Sequence, residues 1–324
     1  MRNRPAQLAD HAAREHAQRA LAGARPRSFW TSQPGAPDPA DPLASPQRAD
    51  LVVVGGGFSG LWTALLARER DPSADVILVE ASTAGWAASG RNGGFCSASL
   101  THGIGNGLSR FPDDMPRLEQ LGAQNLAEIG ATVAAHGIDC DFAMTGELAV
   151  ATAPWQLDGL TEEAAAARAL GHEVTELDAA GVRAELDSPA FLGGSWCRDT
   201  CAMVDPARLA HGLRQACLDA GVRIYEHTPV RAMHADGAGI ALTTPAGQLR
   251  ANQVVLATGA YPALLRRIRS YFVPVYDYVL VTRPLSAAEL ASVGWRHRQG
   301  AADSGNQFHY FRLTADNRIL WGGY

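Results

Sequence analysis

Residues Asp50 to Gly94 constrain the fold more than any other part of this chain. Leu51, Val52, Val53 and Val54 form an unbroken apolar run, the pattern of a parallel strand covered on both faces. Gly55, Gly57 and Gly60 follow at G-x-G-x-x-G spacing. The first glycine permits a tight turn, the second lets a pyrophosphate approach the backbone, and the third lets helix and strand pack closely. A helix is predicted from about Phe58 to Arg70, with Leu61, Ala64, Leu65 and Arg68 at helical spacing and Asp71-Pro72 as its stop. A second apolar strand, Val76 to Val79, ends at Glu80, 20 residues beyond Gly60. That is where a Rossmann unit places the carboxylate that accepts from a ribose 2′-OH. A lone G-x-G-x-x-G is weak. Here strand, helix and acid all stand at the required places, so a chance glycine turn is the poorer account. Phosphates are expected at the Phe58–Ser59 helix start, where free N–H groups and the helix dipole favour anions.

The next stretch bears on which dinucleotide is held. Gly85-Trp86-Ala87-Ala88-Ser89-Gly90-Arg91-Asn92-Gly93-Gly94 is too rich in glycine for a helix interior, and a chain this slim can pass close to a ligand. Ser89 is expected to cap a short helix, leaving N–H groups for a phosphate or a flavin edge. Arg91, the charged residue of the segment, is either an anion partner or a solvated loop arginine. On these residues the chain resembles the FAD-dependent amine and D-amino-acid oxidoreductase family, near its γ-glutamylputrescine oxidase branch, from about Asp50 to Tyr324. The resemblance implies FAD in an extended form. Glu80 and the adjoining Ala81 would lie at the adenosine ribose, and Ala88, Ser89, Gly90, Arg91, Asn92 and Gly93 beside the flavin.

Composition narrows the alternatives. A net charge of −5 with ordinary apolar content gives no pull toward nucleic acid or anionic membrane. No apolar run approaches the roughly 18 residues of a transmembrane helix, and the N-terminus lacks the apolar core of a secretory signal. The 5 cysteines, Cys96, Cys140, Cys197, Cys201 and Cys217, are scattered and odd in number, which argues against a disulfide framework. Cys197-x-x-x-Cys201 has no second pair or suitably spaced histidines, so structural thiols are expected and no metal. A cytoplasmic location follows as the expectation. The sequence contains no lysine; a lysine Schiff base, general base or oxygen-activating ammonium is therefore excluded within these residues.

In chain order, residues 1–48 are expected to be a polar N-terminal arm, helical or frayed to about Ala24, and then a linker marked by Pro34, Pro37, Pro39, Pro42 and Pro46. Ser28-Phe29-Trp30 is expected to pack on the body. Thr101 to Asp114 reads as loop, and His102 within it as structural rather than catalytic. Leu118, Leu121, Leu126, Ile129 and Val133 trace a helix face ended by Gly137. Glu147 to Ala151 reads as a strand, Thr161 to Leu170 and Asp178 to Leu186 as helices. Asp205-Pro206 starts a capped helix with Gly221 beyond its end. Strands are expected at Val222 to Tyr225 and from Pro229, in a meander with turns at Asp236-Gly237 and Pro245-Ala246-Gly247. The chain returns to the parallel sheet at Val254 to Gly259. The resemblance implies that the Val230 backbone meets the adenine and that Thr258 and Gly259 approach the pyrophosphate. From Tyr271 the chain turns aromatic and β-branched, with strands at Tyr276 to Thr282, His309 to Leu313 and Arg318 to Trp321. In the family this is the substrate sheet; Tyr276, Tyr278, Tyr310 and Arg312 are candidates to line its pocket, Arg312 as a carboxylate clamp.

The expected architecture is α/β (α+β overall). A Rossmann-type FAD-binding domain, 49–110 and 200–265, is interleaved with an antiparallel-sheet substrate domain, 111–199 and 266–324. Relatives continue beyond Gly322-Gly323-Tyr324, so a fragment or a natural truncation is expected. The expected function is FAD-dependent oxidation of the C–N bond of a small amine or amino acid to an imine, with oxygen or another compound as electron acceptor. A non-catalytic FAD- or ADP-binding remnant and a nicotinamide-dependent dehydrogenase stand as alternatives, the latter leaving Gly85 to Gly94 without a role.

Overall fold

Two large sheets organise the chain, each continuing a pattern legible in the sequence. A computed structural model of the protein describes residues 18–19, 21–25, 27–261, 264–305 and 307–323; most of the proposed N-terminal helix lies outside them. The first sheet has strand order Ala232–Asp236, Gly239–Thr244, Gly247–Leu256, Gln47–Val54, Val76–Val79, Arg223–Tyr225. Its last four strands run parallel, and the first three form the antiparallel meander. Val52 and Val53 are fully buried because both faces are covered. On one face the Phe58–Arg70 helix sets Leu61, Ala64 and Leu65 into a core with Val53, Leu78 and the Leu209, Leu213 and Cys217 stripe of the Pro206–Asp219 helix. Asp205 caps that second helix, accepting from the N–H groups of Ala207 and Arg208 at 3.0 Å each. Replacing Leu61 or Leu65 by alanine removes a wholly buried side chain, a change that costs about 2–5 kcal/mol.

The second sheet runs Tyr278–Val281, Ile319–Gly323, His309–Leu313, Gly300–Asp303, Glu147–Ala151, Gly193–Cys197, Val174–Asp178. It draws on both halves of the expected substrate domain. It is not wholly antiparallel: Gly300–Asp303 pairs parallel to Glu147–Ala151. That parallel contact joins the two halves across more than a hundred residues, where no hairpin can do so. A small third sheet, Phe95–Ser97, Cys201–Met203 and Ala143–Met144, bridges the two large ones.

Three expectations are corrected. The stretch 101–114 contains a helix, Ile104–Arg110. Its glycines oppose helix formation, but Gly107 sits so tightly on Met115 that a Cβ would stand 2.3 Å from the sulfur; packing overrides propensity. The helix predicted from Thr161 begins earlier, at Gln156, whose buried side-chain oxygen accepts from the N–H groups of Thr152 and Ala153. The proline-rich segment is no free linker. Leu43 is buried, and its N–H donates to Thr228 Oγ1 at 3.0 Å. Trp30 docks on the body as expected, 6% exposed, its Nε1 donating to the Asn92 carbonyl at 2.8 Å. Among the described residues no helix is long and apolar enough to cross a membrane.

Candidate functional site

Gly55, Gly57 and Gly60 are required for three different geometric reasons. Gly55 has φ +117°, and a Cβ there would lie 2.4 Å from the Ala257 carbonyl oxygen. Gly60 faces back on the same turn; its Cβ would stand 1.8 Å from the Gly55 oxygen. Gly57 is the N-cap, in an ordinary extended conformation at φ −81° and ψ −177°. Its open side looks toward Ser89 Oγ, 2.9 Å from an added Cβ.

That hydroxyl revises one expectation. Ser89 lies within the short 3-10 turn Ala88–Gly90, and its oxygen accepts from Phe58 N–H at 3.0 Å. It caps the long helix from across the site rather than a helix of its own. The N–H groups of Ser59 and Gly60 remain, with no preceding turn to accept them, and the helix dipole adds positive potential there.

Glu80 closes the second strand and is buried. Its Oε2 accepts from Gly56 N–H at 2.7 Å, and its Oε1 from Ser82 N–H at 2.8 Å and Trp86 Nε1 at 2.9 Å. The loop after Tyr225 folds back over it: Thr228 N–H donates to the Glu80 carbonyl at 2.8 Å and His227 N–H to that of Ser82. Val230 follows, half-buried against the apolar cluster that contains Val79. Ala81 is exposed beside Glu80. Thr258 and Gly259 (φ +57°) continue from Ala257, whose N–H donates to Val54 O. Ribose-side and phosphate-side candidates therefore lie on adjoining strand ends.

The second glycine segment is pinned from several sides. Asn92 Nδ2 donates to the carbonyls of Ala88 and Ser89, and Asn92 Oδ1 accepts from Gly94 N–H. Gly90 packs on Gly85, where a Cβ would lie 2.2 Å from the carbonyl oxygen. Gly93 lies against the Tyr310 ring, which would be 2.5 Å from a Cβ. Arg91 is tied to its own segment: its Nε donates to Trp86 O at 2.6 Å, and its guanidinium lies 5.6 Å from the centre of that indole.

The substrate candidates separate. Tyr310 faces the glycine segment, meets Phe95 edge-on at 5.6 Å and donates a short hydrogen bond to Asp277. Tyr276 and Tyr278 are 81% and 77% exposed, so they do not share its surroundings. Arg312 is 4% exposed, and its Nη1 donates to the carbonyls of Gly94 at 3.0 Å and Val204 at 2.7 Å. Burial lowers its pKa to about 10. These contacts make Arg312 a tie between the sheet and the glycine segment rather than a carboxylate clamp. His102 is exposed, its ring 6.0 Å from Phe308. Burial raises the thiol pKa of Cys140 and Cys197 to about 11 and Cys217 to about 12, so none of these is a ready nucleophile.

Sequence inspection missed Glu147. It stands in register with Gly300, whose added Cβ would meet Phe95 and Met203, so it shares the sheet face turned toward the glycine segment. The signal was present: in Glu-Leu-Ala-Val-Ala the acid falls on the same side as small residues, opposite Leu148 and Val150. Burial, then the charge of Glu163, raises the pKa of this half-buried carboxyl from 4.5 to about 7. The raised value means that stability is full below the ordinary carboxylate range and is lost as pH rises through about 7. Glu147→Gln is expected to lack that loss, gaining roughly 2–3 kcal/mol on the parent between about pH 5 and about pH 8. Denaturant midpoints of both proteins at the two pH values test this; parallel pH profiles would show that Glu147 ionises freely.

The fold and these contacts define a dinucleotide-binding protein, and comparison with known proteins gives its family. Residues 50–324 match the FAD dependent oxidoreductase (DAO) family. The chain belongs to that family. It is 31% identical over 306 residues to the gamma-glutamylputrescine oxidoreductase of Escherichia coli, covering 91% of this chain and 69% of that protein. It is 29% identical over 289 residues to the probable oxidoreductase OrdL of Haemophilus influenzae, covering 87% and 66%. The chain thus spans about two thirds of the length of these relatives. Among solved structures, glycine oxidase from Geobacillus kaustophilus superposes with a TM-score of 0.68 at 24% identity, covering 86% of this chain and 71% of that one; this likeness concerns the fold.

The residues present fit FAD. A cradle that a single Cβ at Gly57 would narrow, helix N–H groups aimed at it, and a buried strand-end carboxylate are the parts a dinucleotide requires. Glu80→Gln must turn an amide N–H toward one of the three donors that Glu80 now accepts from. We expect FAD affinity to fall by about 1–3 kcal/mol. FAD titration of the apoprotein measures it, and equal affinities would remove Glu80 from the ribose site.

Proposed function

We propose that this chain forms the FAD-binding and substrate-facing parts of an enzyme that oxidises the C–N bond of a small amine or amino acid to an imine, which water then hydrolyses. When bound, FAD supplies the acceptor for the hydride from the substrate C–H, at flavin N5. The observation that carries the reading is the Gly85–Gly94 segment. Ser89 ties it to the start of the phosphate-binding helix, and Tyr310 and Arg312 tie it to the second sheet. A slim backbone held between the two sheets suits one face of a flat ring. A nicotinamide-binding fold gives that segment no task.

In this reading Glu80 and the Val230 backbone hold the adenosine end. Ser59, Gly60, Thr258 and Gly259 surround the pyrophosphate, and Ala88 to Gly93 flank the flavin. Residues 49–110 and 200–265 make the nucleotide-binding part, and 111–199 and 266–324 the substrate part. The Met115–Ala135 helix is shared, since its Val133 joins the first core. Tyr310, Phe95 and Glu147 face the substrate. Glu147 is placed to take a proton from an incoming ammonium, which must lose it before hydride can leave the adjacent carbon. The relatives gamma-glutamylputrescine oxidoreductase and glycine oxidase support small amines and amino acids as the substrate class.

The test is spectroscopic. The purified chain, loaded with FAD, is mixed without oxygen with gamma-glutamylputrescine, putrescine, glycine and sarcosine in turn. Bleaching of the flavin band by one of them, followed by recovery in air or with an artificial acceptor, is expected. A flavin band that no amine bleaches would favour nucleotide binding without turnover, and no flavin binding would overturn the reading.

A further inference from the structure

Outside the glycine cradle, two chain segments bring three different donor atoms together. His172 lies between the Gln156–Ala169 helix and the Val174–Asp178 strand. Cys197 ends the Gly193–Cys197 strand, and Asp199 sits in the turn that follows. Pairing of Val174 with Cys197, and the Arg198 N–H bond to Glu173 O, hold the two chain segments side by side. One ligand atom from each of His172, Cys197 and Asp199 lies within 4.8 Å of the others. His172 Nδ1 is 3.3 Å from Asp199 Oδ2, and Cys197 Sγ is 3.5 Å from Asp199 Oδ1. Bonds of about 2.0–2.3 Å to a tetrahedral ion place neighbouring ligand atoms about 3.3–3.8 Å apart. The two edges to Asp199, one to each of its oxygens, fall in that range, and the remaining His172–Cys197 edge lies within 4.8 Å.

The fourth participant is Glu119, on the Met115–Ala135 helix. Its carboxylate is 2.9 Å from His172 Nε2, and both side chains are only 9% exposed. A carboxylate only accepts, so Nε2 donates to Glu119. With an ion at the site, the Nδ1 lone pair turns to the metal in place of the 3.3 Å contact with Asp199 Oδ2. Orientation of a ligating imidazole by a carboxylate on its far nitrogen is the arrangement that raises its basicity toward a metal.

We propose that His172, Cys197 and Asp199 form a binding site for a borderline-soft divalent cation, for which zinc is the fitting member, with Glu119 orienting the histidine and water completing the coordination. A nitrogen, sulfur and oxygen set disfavours magnesium and calcium, which take oxygen ligands. Asp199 is half-exposed at 44%, so the ion can enter from solvent. The site joins the Met115–Ala135 helix, the end of the Gln156–Ala169 helix and the outer strands of the second sheet. Its role is to staple that corner, and the thiol proton is released as the ion binds. A site assembled by folding leaves no paired cysteines or spaced histidines in the sequence.

Zinc chloride and cobalt chloride, titrated into the chelator-treated full chain, test the proposal. One equivalent of zinc is expected to bind and raise the melting temperature. Cobalt is expected to give a sulfur-to-cobalt charge-transfer band. Cys197→Ser should abolish that band, and His172→Gln should weaken zinc binding by more than the roughly 10–100-fold that losing an orienting partner costs. The remaining thiols, Cys96, Cys140, Cys201 and Cys217, stay in place, so the Cys197→Ser comparison isolates the site. Failure to bind zinc, or binding unchanged in both variants, would overturn the proposal. So would NMR signals showing that His172 keeps protons on both ring nitrogens in the presence of zinc, as an imidazolium between Glu119 and Asp199. Should a variant fold poorly, absence of the charge-transfer band in the parent chain decides against it alone.

Discussion

Gly57→Ala is expected to fold like the parent and lose its flavin, whereas Gly60→Ala is expected to lose the fold. Both changes add one methyl group, and the structure separates them by what that group meets. At Gly57 the backbone is one that alanine adopts freely, and the near neighbour is the rotatable Ser89 hydroxyl at 2.9 Å. A small rotation relieves the contact, but the methyl then occupies the mouth of the phosphate cradle. The expected cost falls on binding, about 1–3 kcal/mol or roughly tenfold to hundredfold in FAD affinity. At Gly60 the neighbour is the Gly55 carbonyl oxygen at 1.8 Å. That oxygen belongs to a turn fixed between two parallel strands, and Gly55 itself is held at φ +117° against Ala257. Helix and strand must part, at more than about 3 kcal/mol. Circular dichroism and FAD titration on the two variants resolve the pair. Retention of stoichiometric FAD by Gly57→Ala would argue against the dinucleotide reading, and a stable Gly60→Ala would show that the turn is softer than its contacts indicate.

Glu226→Ala is expected to destabilise the chain by about 3–5 kcal/mol. Glu226 is 1% exposed and is the meeting point of four segments. Its Oε2 accepts from Arg214 Nη2 at 2.9 Å and from Ala40 N–H at 2.5 Å, and its Oε1 from Ala84 N–H at 2.5 Å. Arg214, buried too, also donates to the Asp38 carbonyl at 3.1 Å. Removing the carboxylate leaves a guanidinium without countercharge and two backbone N–H groups without acceptors, next to the start of the Gly85–Gly94 segment. Arg214→Met alone leaves the reverse defect. The double variant removes both charges but still orphans the two N–H groups, so it should recover only part of the loss. Denaturant midpoints of the two single variants and the double variant measure the coupling. A loss below about 1 kcal/mol for Glu226→Ala would mean that water reaches the pair and serves in place of the carboxylate.

Where local chemistry and tertiary demand agree, the elements could be read directly from the residues. The Phe58–Arg70 helix lies between a glycine turn and Asp71-Pro72, and the Pro206–Asp219 helix has Asp205 as cap and Pro206 at its first position. Their bounds are set within a few residues of chain. Glu80 was legible for a related reason, since strand length and helix length alone place it beside the glycine turn. The Ile104–Arg110 helix was not, because its stability comes from Gly107 resting on Met115 rather than from its own propensity. Nor was the docking of the proline-rich arm, which depends on Glu226 and Thr228, residues about 185 positions away.

The sequence by itself determined that a parallel βαβ unit with a dinucleotide cradle would form, because glycine, apolar runs and caps act over one turn or one strand. It also determined that no lysine takes part within these residues. Only the tertiary structure decided which side chains share a space. It turned Arg312 inward onto the carbonyls of Gly94 and Val204, left Tyr276 and Tyr278 outside, and set Glu147 on the face toward Phe95. It gathered His172 from a helix–strand connection, Cys197 from a strand end and Asp199 from the turn after it. The physical reason is the same in each case: strand alternation says that a side chain faces one side or the other, but sheet order and helix docking decide what lies on that side.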